Sequence, residues 1–264
     1  MKADLHFHPC FFNKGAGFQF TQWRTPHLKR IIEKALEKKI ELLTITSCST
    51  YNHFDPRWYE TLHELEDVEK YEFEQIPQGI KIKGKNLYIF HGQELKTDKA
   101  DLNVLFAQQR VPIDKTKGKL ENVLDAAKDS GDNVLIGINE LSRSELTEKE
   151  IRDLYEKGKI HFIEIYNSMD SRENNDYAHR ISLTTKIPGI AVSDSHTLND
   201  MAKAYTDFSI QGTPSLRELP LKIKEALENQ DYTVFRGNCS WVSKELYLAR
   251  LSEAIIKFKL GILK

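Results

Sequence analysis

The amino-acid sequence predicts an α/β fold in which parallel strands form a closed or nearly closed barrel. Short runs rich in β-branched and other apolar residues alternate along the chain with longer segments of helical periodicity. Such alternation favours parallel strands that are joined by crossover helices. The chain has 264 residues, 40% of them hydrophobic, which is enough for the core of one such barrel.

Seven segments are predicted as strands, and helical patterns lie between most of them. Thr147 and Glu150 form a capping-box pattern at the start of one helix, and Gly158 follows its last periodic residues. An acid-rich segment at 60–75 is predicted as an exposed helix. The predicted strands are 3–7, 40–46, 87–91, 103–107, 134–138, 160–166 and 189–193, and the helices are 27–38, 120–129, 148–157 and 177–185.

The C-terminal part of the chain adds two helical patterns, at 215–229 and 241–259. The second carries its apolar residues mostly on one side, which favours packing on the barrel over binding of a partner. We therefore expect residues 1–264 to form a single barrel domain, with C-terminal helices within 215–264 packed against it.

Composition and charge narrow the classes of partner. The chain has 38 Lys and Arg against 39 Asp and Glu, so no global field attracts nucleic acid, although a few local lysines could hold a short one. No segment approaches about 20 uninterrupted apolar residues, so no membrane partner is expected. Cys10, Cys48 and Cys239 are odd in number and lack CxxC spacing, which is typical of reduced thiols and predicts a cytoplasmic protein.

Two histidine-containing pairs occur at predicted strand ends. His6 and His8 leave the first strand on one face, and Asp194 and His196 repeat the same spacing after the last strand. Glu94 follows the third strand and Gly92, which we interpret as a turn glycine. Because the carboxyl ends of parallel barrel strands share one rim, these residues are expected to form one site. Imidazole and carboxylate ligands suit zinc, manganese or iron.

Asp4 points the same way as His6 but lies deeper along the strand. Its carboxylate could accept a hydrogen bond from an imidazole and orient it, or it could form an ordinary buried hydrogen bond. The sequence leaves both alternatives open.

Together these residues resemble the PHP (polymerase and histidinol phosphatase) superfamily. The resemblance covers about residues 3 to 212 and implies a distorted TIM-like (β/α)7 barrel with its site at the C-terminal rim. It also implies up to three divalent ions that activate water against phosphate esters. The motifs that carry it are Asp4-Leu5-His6-Phe7-His8, Gly92-Gln93-Glu94 and Ser193-Asp194-Ser195-His196.

The resemblance also implies which residues would hold each ion. The first ion would have the complete ligand set of the family, namely His6, His8, Glu94 and Asp194. The second would have Glu94 with Asp101 and Asn139, which stand where the family has histidines. These oxygen ligands would weaken zinc binding while tolerating manganese or magnesium.

A third ion would require ligands that depart further from the family. The family's TDH motif reads Thr46-Ser47-Cys48 here, so the third ion would depend on Cys48 and His196, with His53 or another donor. Cys48 could equally be a small buried residue at a strand end. The expected cofactors are therefore one to three divalent ions, zinc, manganese or iron.

The function expected from these residues is metal-dependent hydrolysis of a phosphate ester, either a small phosphate monoester or a nucleotide. Asp101 would orient or deprotonate the attacking water, and His196 would protonate the leaving group if it is not a ligand. Arg143 would grip the phosphate, although a surface arginine at this position is an equal alternative.

Two other functions remain open. The missing histidines are compatible with a degenerate barrel that acts as a binding or regulatory module with at most one structural metal. Metal-assisted amide hydrolysis by an amidohydrolase-like barrel would also begin with an HxH motif, but it fits the GxE and SDxH elements poorly.

Overall fold

The computed structural model describes residues 1–8, 25–48, 71–112 and 118–239. The predicted helix at 241–259 and most of the segment at 60–75 lie outside these residues, as do Cys10 and His53. Cys48 lies in a described strand, but its side chain is outside the description.

In the described part of the chain eleven strands form one sheet, and seven of them correspond to the strands predicted from the sequence. The order across the sheet is β11-β10-β1-β2-β5-β6-β7-β8-β9, with β3 and β4 forming a hairpin that pairs with β5. The strands are β1 (Lys2–Phe7), β2 (Leu42–Cys48), β3 (Phe73–Ile76), β4 (Gly79–Ile82), β5 (Leu87–Lys96), β6 (Asp101–Leu105), β7 (Leu135–Ile138), β8 (Phe162–Asn167), β9 (Gly189–Val192), β10 (Tyr205–Phe208) and β11 (Tyr232–Phe235).

The sheet closes into a barrel where the end of β9 meets β1. The backbone N–H of Asp194 donates to the carbonyl of His6 at 2.8 Å, and the N–H of His8 donates to that of Ser195 at 2.9 Å. A parallel bridge between Phe7 and Ser195 lies between these bonds. The α/β fold and the distorted TIM-like (β/α)7 barrel predicted from the sequence are therefore confirmed.

One strand of the barrel departs from the all-parallel arrangement that we predicted. β6 is antiparallel to both β5 and β7, whereas the remaining neighbours in the barrel are parallel. Only residues 97–100 separate β5 from β6. A parallel connection needs a dozen or more residues, so this short loop requires the strand to reverse. Consequently the first residue of β6, Asp101, lies at the rim where its neighbours end.

Five α-helices occur among the residues that the structure describes. The predicted capping box is confirmed, because Thr147 Oγ1 accepts from the N–H of Glu150 and the Glu150 carboxylate accepts from the N–H of Thr147. Within the described ranges no helix is long and apolar enough to cross a bilayer. The helices are α1 (Thr25–Glu37), α2 (Leu120–Lys128), α3 (Glu148–Glu156), α4 (Arg172–Thr185) and α5 (Leu219–Asn229).

The core consists of three clusters of buried side chains. One joins α1 to β2 and β4, and another joins α2, α3 and α4 to β6, β7 and β8. The third is rich in aromatic rings from the strands, including Phe90 and Phe162, and also contains the buried face of α5. Gly137 makes room for one of these rings, because a Cβ there would lie 2.0 Å from Phe162 Cε2.

The prediction of a helix over 60–75 is wrong for residues 73–75, which belong to β3. Phe73 and Ile76 are buried, and the strand pairs with β4 through a turn at Pro77 and Gln78. Pairing with a neighbouring strand outweighs the helical propensity of an acidic segment.

Acid should destabilise the barrel in part through His161. Its Nδ1 accepts from the N–H of Ile136 at 3.1 Å, and burial, followed by the charge of Lys224, lowers its pKa to about 4. The unfolded chain, with a histidine pKa of about 6.5, binds the proton more readily, so this stabilisation is complete above pH 6.5 and is lost as the pH falls toward 4.

We therefore expect the free energy of unfolding to fall less steeply between about pH 7 and 4.5 in His161→Gln than in the wild type. Glutamine can still accept from Ile136 but does not titrate. Urea unfolding at several pH values measures the difference. Parallel curves for the two proteins would contradict this assignment.

Candidate metal centre

The predicted ligands come from three strands that meet at one rim of the barrel. His6 lies in β1, and His8 follows the end of that strand. Asp194 directly follows Ser193 after β9. Glu94 lies inside β5 rather than after it, opposite Cys48 of β2 and Asn103 of β6.

The interpretation of Gly92 as a turn glycine is wrong, because Gly92 lies within β5. A Cβ at this position would lie 2.7 Å from Cγ2 of Thr44 and 3.2 Å from Oγ1 of Thr46. A side chain here would therefore collide with β2. The glycine lets the strand that carries Glu94 pack closely against its neighbour.

Several pairs of candidate ligand atoms lie at the distances that metal coordination requires. Nε2 of His8 is 3.0 Å from Nε2 of His6, 3.2 Å from Oδ1 of Asp194 and 3.5 Å from Oε2 of Glu94. His6 Nε2 is 3.6 Å from Asp194 Oδ1. Ligands of a tetrahedral zinc ion are about 3.3–3.6 Å apart, and neighbouring ligands of an octahedral ion are about 3.0 Å apart. These pair distances suit a divalent ion of either geometry, and the ligand atoms converge in two groups, one of His6, His8 and Glu94 and one of His8, Asp194 and His196.

The hydrogen bonds at Nδ1 define the tautomers of the histidines. The Nδ1–H of His8 donates to the Thr46 carbonyl at 3.0 Å, and that of His196 donates to the Asp194 carbonyl at 2.9 Å. The Nδ1 of His6 is 2.7 Å from the Glu164 carboxylate. Each neutral imidazole therefore presents an unprotonated Nε2. The facing Nε2 atoms of His6 and His8 would repel each other unless a cation or a proton lay between them.

The charges of the cluster also favour a cation. Burial alone would raise the pKa of Asp194, but the imidazoles of His6, His8 and His196 hold it well below its usual range. Burial alone would lower the pKa of His6, but the carboxylates of Glu164 and Asp194 raise it well above its usual value. Without a metal, the carboxylates favour the protonated, positively charged form of the histidines. A divalent ion would supply this positive charge instead.

Asp194 is oriented by its backbone and by a neighbouring amide. Its φ of +47° is in the left-handed region, which is uncommon for a residue other than glycine and is often seen at functional sites. The Nδ2 group of Asn167 donates to Oδ2 of Asp194 at 3.0 Å, while Oδ1 faces the histidines. Asn167 Oδ1 accepts from the N–H of Met169, which determines the orientation of the amide.

Asp4 does not orient an imidazole. Its two carboxylate oxygens accept from the N–H groups of Ser193 at 3.0 Å and Ala202 at 2.9 Å. Of the two alternatives, the buried hydrogen bond to backbone is the one observed. Asp4 thereby holds both ends of the segment that carries Asp194 and His196.

Glu164 orients His6, and our sequence analysis gave it no role at the site. It is 2% exposed, and besides His6 it accepts from Nδ2 of Asn103 at 3.3 Å. The signal in the sequence is a single carboxylate among the apolar and aromatic residues that precede Asn167 in this strand. A carboxylate that accepts from a metal-binding histidine increases the basicity of that ligand.

His196 belongs to a second group of potential ligands, with His8 and Asp194. Its ring stacks on that of His8 with centroids 4.5 Å apart. Burial, followed by the charge of His8, lowers the pKa of His196 to about 4, so the ring is neutral near pH 7. These contacts favour the predicted role as a ligand over the predicted role as a proton donor.

Asp101 and Asn139 adjoin each other at the rim, where the N–H of Asn139 donates to the Asp101 carbonyl at 2.9 Å. Asp101 is not in either group of converging ligands found among the described residues. Burial, more than the charge of Glu94, raises its pKa. The Asn139 side chain is 1% exposed, and neither amide atom has a hydrogen-bond partner in the described ranges.

Arg143 lies in a short 3-10 helix, Leu141–Arg143, and is 62% exposed. Its Nη1 is 2.5 Å from Oε1 of Glu140, a residue that the sequence analysis did not identify. Burial, followed by the charge of Asp194, raises the pKa of Glu140 to about 7, while Arg143 acts in the opposite direction. Glu140 has a left-handed φ of +39°, which the sequence does not signal.

Replacing Glu164 with glutamine should weaken metal binding by about 10- to 100-fold, because the amide can still accept from His6 but carries no charge. Competition with a metal-chelating dye measures the affinity. Glu156→Gln, at an exposed position of α3, serves as the matched control and should bind as the wild type does. Equal affinities for all three proteins would show that Glu164 does not tune the site.

Comparison with known proteins adds a family match. A model of the PHP-associated family, PHP_C, matches residues 172–226, which include α4, β9 and most of α5. No curated protein matches the chain.

Two solved structures share the fold. PsfC from Pseudomonas syringae PB-5123 is 17% identical with a TM-score of 0.56, over 96% of this chain and 97% of PsfC. A two-domain protein from Bacteroides vulgatus ATCC 8482, which contains a predicted PHP-like metal-dependent phosphoesterase, is 14% identical with a TM-score of 0.58, over 90% of this chain and 65% of that protein. The chain therefore contains a segment that matches the PHP-associated family, and its fold is similar to the folds of these two proteins.

Proposed function

We propose that this protein hydrolyses a phosphate ester, either a small phosphate monoester or a nucleotide, with the aid of a divalent metal ion. The observation that carries the proposal is the convergence of imidazole Nε2 atoms and carboxylates, with each imidazole oriented by an acceptor at Nδ1. The predicted function of the related Bacteroides domain as a metal-dependent phosphoesterase supports the same reaction class.

His6, His8, Glu94 and Asp194 would hold the first ion, and His196 could join Asp194 and His8 around another. A divalent ion bound here would supply Lewis acidity and lower the pKa of water to near neutrality. Zinc, manganese and iron all suit imidazole and carboxylate ligands. The identity and number of the ions are part of the proposal.

The residues beside these ligands would bind the substrate and accept protons. Asp101 is half-buried and has a raised pKa, which suits a group that orients water or accepts a proton from it. Arg143 is exposed enough to reach a phosphate and carries a permanent charge. The unpartnered amide of Asn139 could donate to a phosphoryl oxygen.

A small phosphorylated molecule is the substrate class that we favour. The net charge of −1 supplies no general attraction for a long nucleic acid, so such a substrate would depend on local contacts at the rim. The alternative is a barrel that only binds a ligand, and the absence of imidazole at Asp101 and Asn139 favours it.

Asp194→Asn should abolish metal retention and lower the hydrolysis rate by at least about 1,000-fold, because the amide removes the charge of a ligand. Phosphate release from nitrophenyl phosphates and nucleoside monophosphates, with manganese, iron or zinc, measures the rate. Asp125→Asn, at an exposed position of α2, is the matched control and should retain full activity.

Unchanged turnover in Asp194→Asn would place the reaction elsewhere. If the wild type binds metal but hydrolyses no ester in the panel, the binding-module alternative gains support.

A further inference from the structure

The rim beside the predicted first metal ion contains carboxylates without imidazoles. Asp101 is the first residue of β6 and Glu140 follows the end of β7, and the charge of Glu94 acts on both of them. Among the described His, Cys, Asp and Glu residues, neither belongs to a converging group. Concentrated negative charge of this kind requires a cation or protons.

Arg143 is the cation in contact with this cluster. Its guanidinium pairs with Glu140 at 2.5 Å, and the charges of Lys96 and then of Arg143 both lower the pKa of Asp101. The Glu140 side chain is only 16% exposed, so the pair lies partly inside the rim rather than at the outer surface. A partly desolvated ion pair of this kind is stronger than one in open water.

Asn139 provides an independent indication that a ligand binds here. Its side chain is 1% exposed, its backbone N–H donates to the carbonyl of Asp101, and neither amide atom has a partner among the described residues. Buried polar atoms of native proteins nearly always have a partner. A phosphoryl oxygen would satisfy the amide Nδ2 and would also face the guanidinium of Arg143.

We propose that the guanidinium of Arg143, held by Glu140, takes the electrostatic place of a second divalent ion and binds the phosphoryl oxygens of the substrate together with Asn139. The centre thus uses one ion at His6, His8, Glu94 and Asp194, with a permanent organic cation beside it. This inference rests on the proposed function for the identity of the ligand. The exclusion of a second ion by Arg143 does not depend on it.

The two kinds of cation should exclude each other. Glu140, Asp101 and the Oδ1 atom of Asn139 are oxygen donors that suit manganese, which tolerates such ligands better than zinc does. While the guanidinium of Arg143 pairs with Glu140, its positive charge would repel a divalent ion at this position. The ion would also lack the carboxylate of Glu140 as a ligand. Removing the guanidinium should therefore create a manganese site.

The test counts bound Mn²⁺ on metal-free protein at about pH 8, using the loss of the free-ion signal in electron paramagnetic resonance. Arg143→Met should bind about one tight ion per chain more than the wild type does. The double variant Arg143→Met with Glu140→Gln should return to the wild-type number, because it lacks the new ligand. Arg152→Met removes another part-exposed arginine from an ion pair, on α3, and should behave as the wild type does.

Activity provides a second readout. With one equivalent of manganese, Arg143→Met should lose about 100-fold in kcat, the size expected for one oriented cation. Excess manganese should restore part of the loss in Arg143→Met but not in the double variant.

Equal numbers of tight ions in the wild type and in Arg143→Met would overturn the inference. The ion counts are independent of catalysis. If they follow the expectation but no ester is hydrolysed, the proposed function fails while the cation replacement stands.

Discussion

The pairing of the end of β9 with β1 is the contact on which the site depends. The hydrogen bonds of Asp194 and His8 across this seam bring the HxH motif of the first strand beside the DxH motif that follows the last barrel strand. Asp4 stabilises this contact between the strands because its carboxylate accepts hydrogen bonds from the backbone N–H groups of Ser193 and Ala202. Because each of these contacts involves the backbone, the ligand positions are determined by the barrel itself and not by mobile side chains.

The balance of charge at the rim follows from this geometry. Asp194, Glu94 and Glu164 lie around His6 and His8. Neutral imidazoles cannot balance the negative charge of these carboxylates, so the imidazoles must be protonated or bind a cation. A divalent ion resolves this conflict at the histidine pairs, while an arginine can resolve it at the neighbouring carboxylates. The division of the rim into an imidazole-rich half and an oxygen-rich half thus explains why one barrel could use two different kinds of cation.

Periodicity and motif spacing predicted the barrel, its seven strands and the residues that converge, because strand ends and short-range spacing are local properties of the sequence. They did not predict the reversal of β6, which depends on the shortness of the loop at 97–100 and therefore on connectivity rather than on residue pattern. Nor did they predict the β3–β4 hairpin, whose pairing is a tertiary contact. Glu164 and Glu140 were missed for different reasons. Glu164 stood in a strand already assigned to the core, whereas Glu140 enters the rim through a left-handed backbone that no residue type in the sequence signals.

The most direct test of the central claim is X-ray absorption at the metal edge of protein that has been purified without a chelator or a metal-binding tag. The account predicts a bound divalent ion with nitrogen and oxygen ligands at about 2.0–2.2 Å and multiple scattering from at least two imidazoles. The imidazole contribution should disappear together with the metal when His6 and His8 are replaced. Metal held only by oxygen ligands, or spectra that are unchanged in these variants, would contradict a centre built on His6, His8, Glu94 and Asp194.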